Sequence, residues 1–438
     1  MALLFRNALV LPMTDPEEGQ PMMANVGIES DRIVMIDAAE ERDAECSRTA
    51  DFVARNRESL VEIDATGKVL MPGLINLHTH VAMTLMRSYA DDIPLMIWLG
   101  EHIWPFEAKL TVDDIALGAQ LGMAEMLEGG TTTFADMYWE QATVARVARR
   151  MGIRAVVSPC FVDPRMGGFE KDVTESLAEV CDTVSVRIAP HAPYSCSEEN
   201  LRRGVEVCRE LGLPVHTHLA ETDDEIRIVR DKYGVSPIEL FDRLGYFDFP
   251  TIAAHCVKVT DRDMAILRDK QVTVVHNPQS NMKLSSGIAP VWTMMRSGVN
   301  VALGTDGASS NNDLDMWDEM RSAALLQKVS STDPTVLPAY SALRMATADG
   351  ARALGREGEL GIVAEGALAD VILVDLSRPH MQPIHDVVST LVYCGKSSDV
   401  EMVVVGGRVI VRGGRVEGMD YQGLYSSVAK RLEELTRR

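Results

Sequence analysis

The sequence predicts an α/β protein built on a (β/α)8 TIM-like barrel, with a small composite β-sandwich assembled from both ends of the chain. Three observations lead there. Eight short apolar runs alternate with helical stretches through the middle of the 438 residues, as expected of parallel strands covered on both faces by helices. Histidines and one aspartate stand at the C-terminal ends of most of these runs, the rim where barrels carry their sites. The two terminal regions read instead as short strands and turns, and neither alone could bury a sheet face.

The N-terminal region, residues 1–65, offers strands at 3–11 and 25–36, with turns at 15–19 and 30–31. The barrel is expected over 66–360, with strands at 69–78, 131–136, 154–162, 184–191, 214–218, 251–257, 272–277 and 299–305. Thr111 can cap a helix that runs through Glu128, with Asp113 and Asp114 in its positive first turn and Gly129 and Gly130 as its stop. Residues 200–211 and 261–270 read as similar helices. Residues 361–438 add strands at 369–375 and 400–411, turning at Gly406 and Gly407, and a charged amphipathic helix from Tyr421 to the end.

Apolar residues make up 46% of the chain, enough for a substantial core. Against 43 Lys and Arg stand 64 Asp and Glu, a formal net charge of −21. So acidic a surface repels nucleic-acid polymers and anionic membranes, and leaves a small molecule in a local pocket as the expected partner. Seven scattered cysteines are an odd count and no disulfide framework. The opening MALLFRNALVLPM lacks an export signal's basic start and long apolar core, and no run of about 18 apolar residues marks a membrane span. A cytoplasmic location is the expectation. The 24 methionines fall mostly within apolar stretches and read as core filler. The GKS at 395–397 is no phosphate loop, because Thr390 stands where the loop needs glycine. HExxH and PCxxC metal signatures are absent.

The chemistry concentrates at the strand ends. His78 and His80 close the first run, His191 the fourth, His216 and His218 the fifth, His255 the sixth, His276 the seventh, and Asp306 the eighth. Residues two apart on a strand point the same way, so His78 and His80 can grip one metal ion. His218 and Asp306 would complete the site and leave a position open for water. Nitrogen and oxygen ligands without a thiolate suit Zn2+, or Fe2+ or Mn2+.

The segments PGLINLHTH, HTHLAE, AAHC, VVHNPQSN and ALGTDG together resemble the amidohydrolase superfamily of metal-dependent hydrolases and cover the whole barrel. WLGEHIWPFE, APHAPYSC, HNPQSNMKLSSGIAPV and GTDGASSNNDLDMWDEM resemble, more narrowly, the 5-methylthioadenosine/S-adenosylhomocysteine deaminases. The resemblance implies one divalent metal on His78, His80, His218 and Asp306, with His255 orienting water and Glu221 moving protons. It implies that Glu107 takes the two ribose hydroxyls, and that His191 contacts the sugar or ring. Arg165, in the loop DPRMGG, is a candidate for a homocysteine carboxylate, although this loop departs from the family pattern. The fourth run carries no lysine. Binuclear relatives place a carboxylated lysine there, so one metal is implied. A homo-oligomer is implied as well.

The residues themselves agree with that chemistry. Glu221 lies three positions beyond His218 and can face the open metal position. A carboxylic acid there can pass a proton from water to a ring nitrogen, and Asp306 can take the second proton as ammonia leaves. Trp98 and Trp104 are candidate pocket walls, and His216 a deeper neighbour of the site. His276 and Ser280 border it. Two rival readings remain: another amidohydrolase, such as a guanine or other base deaminase or a triazine chlorohydrolase, and a barrel that binds without catalysis.

Overall fold

The computed structural model describes residues 2–38 and 48–436. Strands from the two ends of the chain join one hydrogen-bonded sheet of nine. Ala2–Val10 lies antiparallel to Met22–Glu29, which turns back through Arg32–Ala38. Ala2–Val10 also runs parallel to Leu60–Asp64 and to Lys68–Pro72. Lys68–Pro72 then pairs with Val371–Asp375, and the sheet continues through Val400–Val405, Arg408–Arg412 and Arg415–Val416. Phe5, Val26 and Ile28 from the front of the chain share one apolar cluster with Val371, Met402 and Val404 from its back. Each terminal region thus supplies the apolar partner that the other lacks.

The run 69–78 is therefore two strands and not one. Lys68–Pro72 belongs to the terminal sheet, and Leu74–Thr79 starts the barrel. Gly73 sits at the junction, where a Cβ would fall 2.2 Å from the Thr132 side chain. The Pro72–Gly73 dipeptide stands at this break and is a turn signal, while the apolar residues on either side carry no sign of which sheet each strand joins.

Seven further strand positions follow: Thr131–Tyr138, Arg154–Phe161, the broken pair Val184–Val186 and Ala189–Pro190, Val215–Leu219, Thr251–His255, Thr273–His276 and Val301–Leu303. All pair in parallel, in a first and a second half. The halves meet where Ile188 N donates to Pro214 O at 2.8 Å and His216 N to Ile188 O at 2.9 Å. Closure between the last strand and the first rests on fewer bonds. Asp306 N donates to His78 O at 2.9 Å. Asn76 accepts from Thr305 N through Oδ1 (3.1 Å) and donates to Thr305 Oγ1 through Nδ2 (2.8 Å).

The helix capped by Thr111 begins where the sequence places its cap, and the helix expected at 200–211 begins two residues earlier. Thr111 and Asp114 form a capping box on Val112–Glu128, Ser197 caps Glu198–Leu211, and Thr260 caps Asp261–Asp269. The terminal helix, Tyr421–Thr436, is pinned to the barrel by Arg431, which donates to both oxygens of Asp114. Residues 437–438 of the expected helix lie outside the described residues. No described helix is long and apolar enough to cross a membrane.

Barrel and terminal sheet are joined by one buried pair. Arg154 donates from Nε to Asp370 Oδ2 (2.5 Å) and from Nη2 to Oδ1 (3.0 Å), and Gly406 N adds a third bond to Asp370. The two side chains are 7% and 2% exposed. Asp370→Ala would leave the guanidinium buried without its counter-charge, a loss of about 3–5 kcal/mol. Chemical denaturation of the variant checks this, and a loss under about 1 kcal/mol would contradict it.

Candidate active site

The strand-end residues converge at one rim. His78 and His80 leave the first strand, His218 the fifth, His255 the sixth, and Asp306 follows the eighth. His255 (φ 72°) and Asp306 (φ 62°) adopt left-handed backbone, local strain of the kind held at functional sites by surrounding structure. One ligand-capable atom from each of His78, His218, His255 and Asp306 lies within 4.8 Å of the others. His80 belongs to the same cluster, with Nε2 3.1 Å from Asp306 Oδ1 and 3.3 Å from His218 Nε2.

Each expected ligand is aimed by its other polar atoms. His80 Nδ1 donates to Met137 O at 2.5 Å, and His218 Nδ1 to His191 O at 2.8 Å. Those bonds place the ring proton on Nδ1 and leave an Nε2 lone pair facing inward. His78 Nδ1 lies 2.9 Å from His216 Nε2, and His216 Nδ1 lies 3.1 Å from Ser158 Oγ. Asp306 Oδ2 accepts from Ser280 (2.7 Å) and Ser310 (3.0 Å), which turns Oδ1 toward the histidines. His78 Nε2 is buried and makes no hydrogen bond, with Asp306 Oδ1 3.3 Å away. Three imidazole Nε2 atoms and a carboxylate oxygen at such spacing repel one another unless positive charge sits among them, either a proton on His80, which the adjacent Asp306 carboxylate shifts upward against burial, or a cation. The donor set therefore fits a divalent metal. Burial lowers His78 to about 4 and holds His218 well below the ordinary imidazole value, so both favour the neutral, ligating form. Burial alone would raise Asp306, but the His78 and His80 rings beside its Oδ1 hold it well below the usual carboxylate range.

Glu221 stands beside this cluster. Its Oε2 lies 4.0 Å from His255 Nε2, and Ser286 Oγ donates to its Oε1 at 3.0 Å. Ala220, at φ 52°, bends the chain just before it. The bend is clamped by Glu225, whose two oxygens accept Ala220 N (2.9 Å) and Glu221 N (2.8 Å). Burial pushes Glu225 up to about 7, against those backbone bonds. His255 is oriented from behind, with Nδ1 2.9 Å from Asn281 Oδ1.

A cavity of about 620 Å3 opens over the cluster. His80, His218, Glu221, His255 and Asp306 form its floor, and His191, Tyr194, Glu107, Trp98 and Trp104 are among its walls. Glu107 comes from Trp104–Glu107, behind a π-turn over Trp98–Ile103. It is buried, and Tyr138 donates to its Oε1 at 2.6 Å. Burial raises Glu107 to about 7, while the bond from Tyr138 and the charges of Arg165 and His80 oppose that rise. His191 reaches the cavity with Nδ1 2.8 Å from Ser195 Oγ. Arg165 is not among the cavity's lining residues. Its guanidinium stacks 3.9 Å over the ring of Trp139, which does line it. His276 is buried close by, with no hydrogen bond to either ring nitrogen. Ser286, Asn281, Glu225 and Tyr138 were not singled out from sequence. The first three lie in or beside the quoted motifs, while Tyr138 carries no local sign of its contact with Glu107.

A cluster of three histidines and an aspartate that fits a divalent metal, with a carboxylate beside it under a cavity on a barrel rim, points to a metal-dependent hydrolase. The chain belongs to the amidohydrolase family, whose profile matches residues 69–410. It is 44% identical to a 5-methylthioadenosine/S-adenosylhomocysteine deaminase of Desulforudis audaxviator, over all of this chain and 99% of the relative. It is 42% identical to a 5′-deoxyadenosine deaminase of Methanosarcina mazei, again over all of this chain and 99% of the relative. Among solved structures, a zinc-bound adenosine deaminase from Xanthomonas campestris superposes with a TM-score of 0.88 at 34% identity, covering 99% of this chain and 98% of the other. The chain is thus an enzyme that hydrolyses C–N bonds.

The clamp by Glu225 yields a direct expectation. Glu225→Ala orphans two buried N–H groups and lowers stability by about 2–4 kcal/mol. Denaturant unfolding measures it, and an unchanged midpoint would show that water replaces the carboxylate without loss.

Proposed function

We propose that the enzyme deaminates the adenine ring of a thioether adenosine, S-adenosylhomocysteine or 5′-methylthioadenosine, and adenosine itself, releasing the inosine analogue and ammonia. The observation that carries this reading is that one cavity holds both the metal cluster and the buried Glu107 carboxylate. A free base needs only the first. A nucleoside also presents a vicinal diol, whose two donors match a carboxylate. The relatives named for such nucleosides add their weight.

In this reading His78, His80, His218 and Asp306 hold one ion, zinc, which when bound makes water a nucleophile at neutral pH. Glu221 carries a proton from the water to the ring nitrogen beside the attacked carbon, held for that task by Ser286 and Glu225. Asp306, its carboxylate fixed by Ser280 and Ser310, takes the second proton and returns it to the departing ammonia. His255 orients the attacking water, its own ring fixed by Asn281. His191 contacts the nucleoside, and Arg165 beside Trp139 meets the carboxylate of a homocysteine tail. Residues 66–360 act as the catalytic unit, with 1–65 and 361–438 as its companion.

Ammonia release, with the ultraviolet change from adenine to hypoxanthine, tests the proposal on thioether nucleosides, adenosine and the free bases adenine, guanine and cytosine. Thioether nucleosides should turn over well above the bases; turnover of a free base alone would overturn the substrate assignment. Glu107→Ala should raise KM roughly tenfold or more, the size of a hydrogen bond to a charged group. In the unaltered enzyme, KM should rise as pH falls through about 7, because a protonated Glu107 offers the diol one acceptor fewer. A KM independent of pH between 5 and 9 would count against this role.

A further inference from the structure

Glu107 does not meet the cavity unaided. Its Oε1 is engaged by the Tyr138 hydroxyl at 2.6 Å, and no protein group among the described residues donates to its Oε2. Tyr138 ends the strand Thr131–Tyr138 and is buried, its ring packed against Trp139 at 4.5 Å and tilted over His80 at 6.3 Å. Its hydroxyl is thereby fixed in place and has a single protein partner, the carboxylate. Burial and the neighbouring Glu107 charge hold this phenol protonated, so its O–H stays available to donate to the carboxylate. The groups facing Glu107 are Tyr138, Arg165 and His80, from three different strand ends.

We propose that Tyr138 is a positioning residue that sets selectivity for ribonucleosides: by holding Oε1 of Glu107 it locks the carboxylate so that Oε2 is presented whole to the sugar diol. The proposal rests on the diol-binding reading of Glu107. The two hydroxyls of the sugar then meet unequal acceptors, one an unshared oxygen and the other an oxygen already bonded. Loss of the lock lets the carboxylate turn, which weakens binding of ground state and transition state alike.

The test uses Tyr138→Phe, which removes one hydroxyl and keeps the ring, with 5′-methylthioadenosine and its 2′-deoxy, 3′-deoxy and 2′,3′-dideoxy analogues as probes. KM for the ribonucleoside should rise about five- to tenfold, one hydrogen bond's worth, while kcat stays within about twofold. KM for the dideoxy analogue should hardly move. The single-deoxy analogues, unequal in the unaltered enzyme, should draw together. In a Glu107→Ala background the same change should add nothing, since Tyr138 acts through that carboxylate. Tyr138→Gln, which keeps an N–H donor, should give an intermediate KM, and it serves as the comparison if the phenylalanine chain does not fold. Equal losses for ribo and dideoxy substrates, or an additive loss with Glu107→Ala, would reduce Tyr138 to packing. If Glu107→Ala leaves KM unchanged, the diol reading itself fails. If Glu107→Ala raises KM and Tyr138→Phe does not, only the role of Tyr138 falls.

Discussion

Everything at the barrel rim depends on one electrostatic constraint: lone pairs from His78, His80 and His218 and an oxygen of Asp306 face one another inside the protein. Such an arrangement is stable only around positive charge. The surroundings are built to maintain it. Carbonyls of Met137 and His191 and the ring of His216 take the outward ring positions, and Ser280 and Ser310 occupy the outward carboxylate oxygen. The protein therefore fixes the orientation of each of these side chains, which limits the reorganisation that holding an ion would require.

The same constraint shapes the fold. Asp306 is both a member of this cluster and a hinge of barrel closure, because its backbone N–H bonds to His78 O across the seam. No ladder joins the last described strand to the first, so this bond, the Thr79 Oγ1 bond to Asp306 O and the Asn76–Thr305 pair hold the seam where the cluster side chains meet. Below the rim, the Arg154–Asp370 pair ties the barrel to the sheet made from both termini. Stability and site geometry are thus linked through a few buried polar bonds and not through apolar area alone.

What could be read from sequence follows from what is local. His78 and His80 announce a shared face because strands repeat every two residues, and His218 with Glu221 spans one strand end and its turn. Thr111 caps an N–H group three residues on, so the start of the helix at Val112 was legible, while the helix expected from 200 begins two residues earlier, at Glu198 behind Ser197. The division of the run 69–78 was marked only by Pro72–Gly73, and which sheet each half joins is set by distant partners that no local spacing encodes. Tyr138 was missed for the same reason: its bond to Glu107 spans 31 residues and two different elements. Arg165 was flagged by its charge in a loop, and its stacking on Trp139 is a contact that no spacing rule encodes.

The central claim is that the cluster exists to hold one divalent metal ion. Metal analysis of the protein purified without added metal, per mole of chain, tests this most directly. The account predicts close to one equivalent in the unaltered protein and a large loss on His218→Ala or Asp306→Asn, with folding retained by thermal melt. A folded, fully active protein carrying no metal, or two equivalents per chain that survive loss of His218, would contradict it.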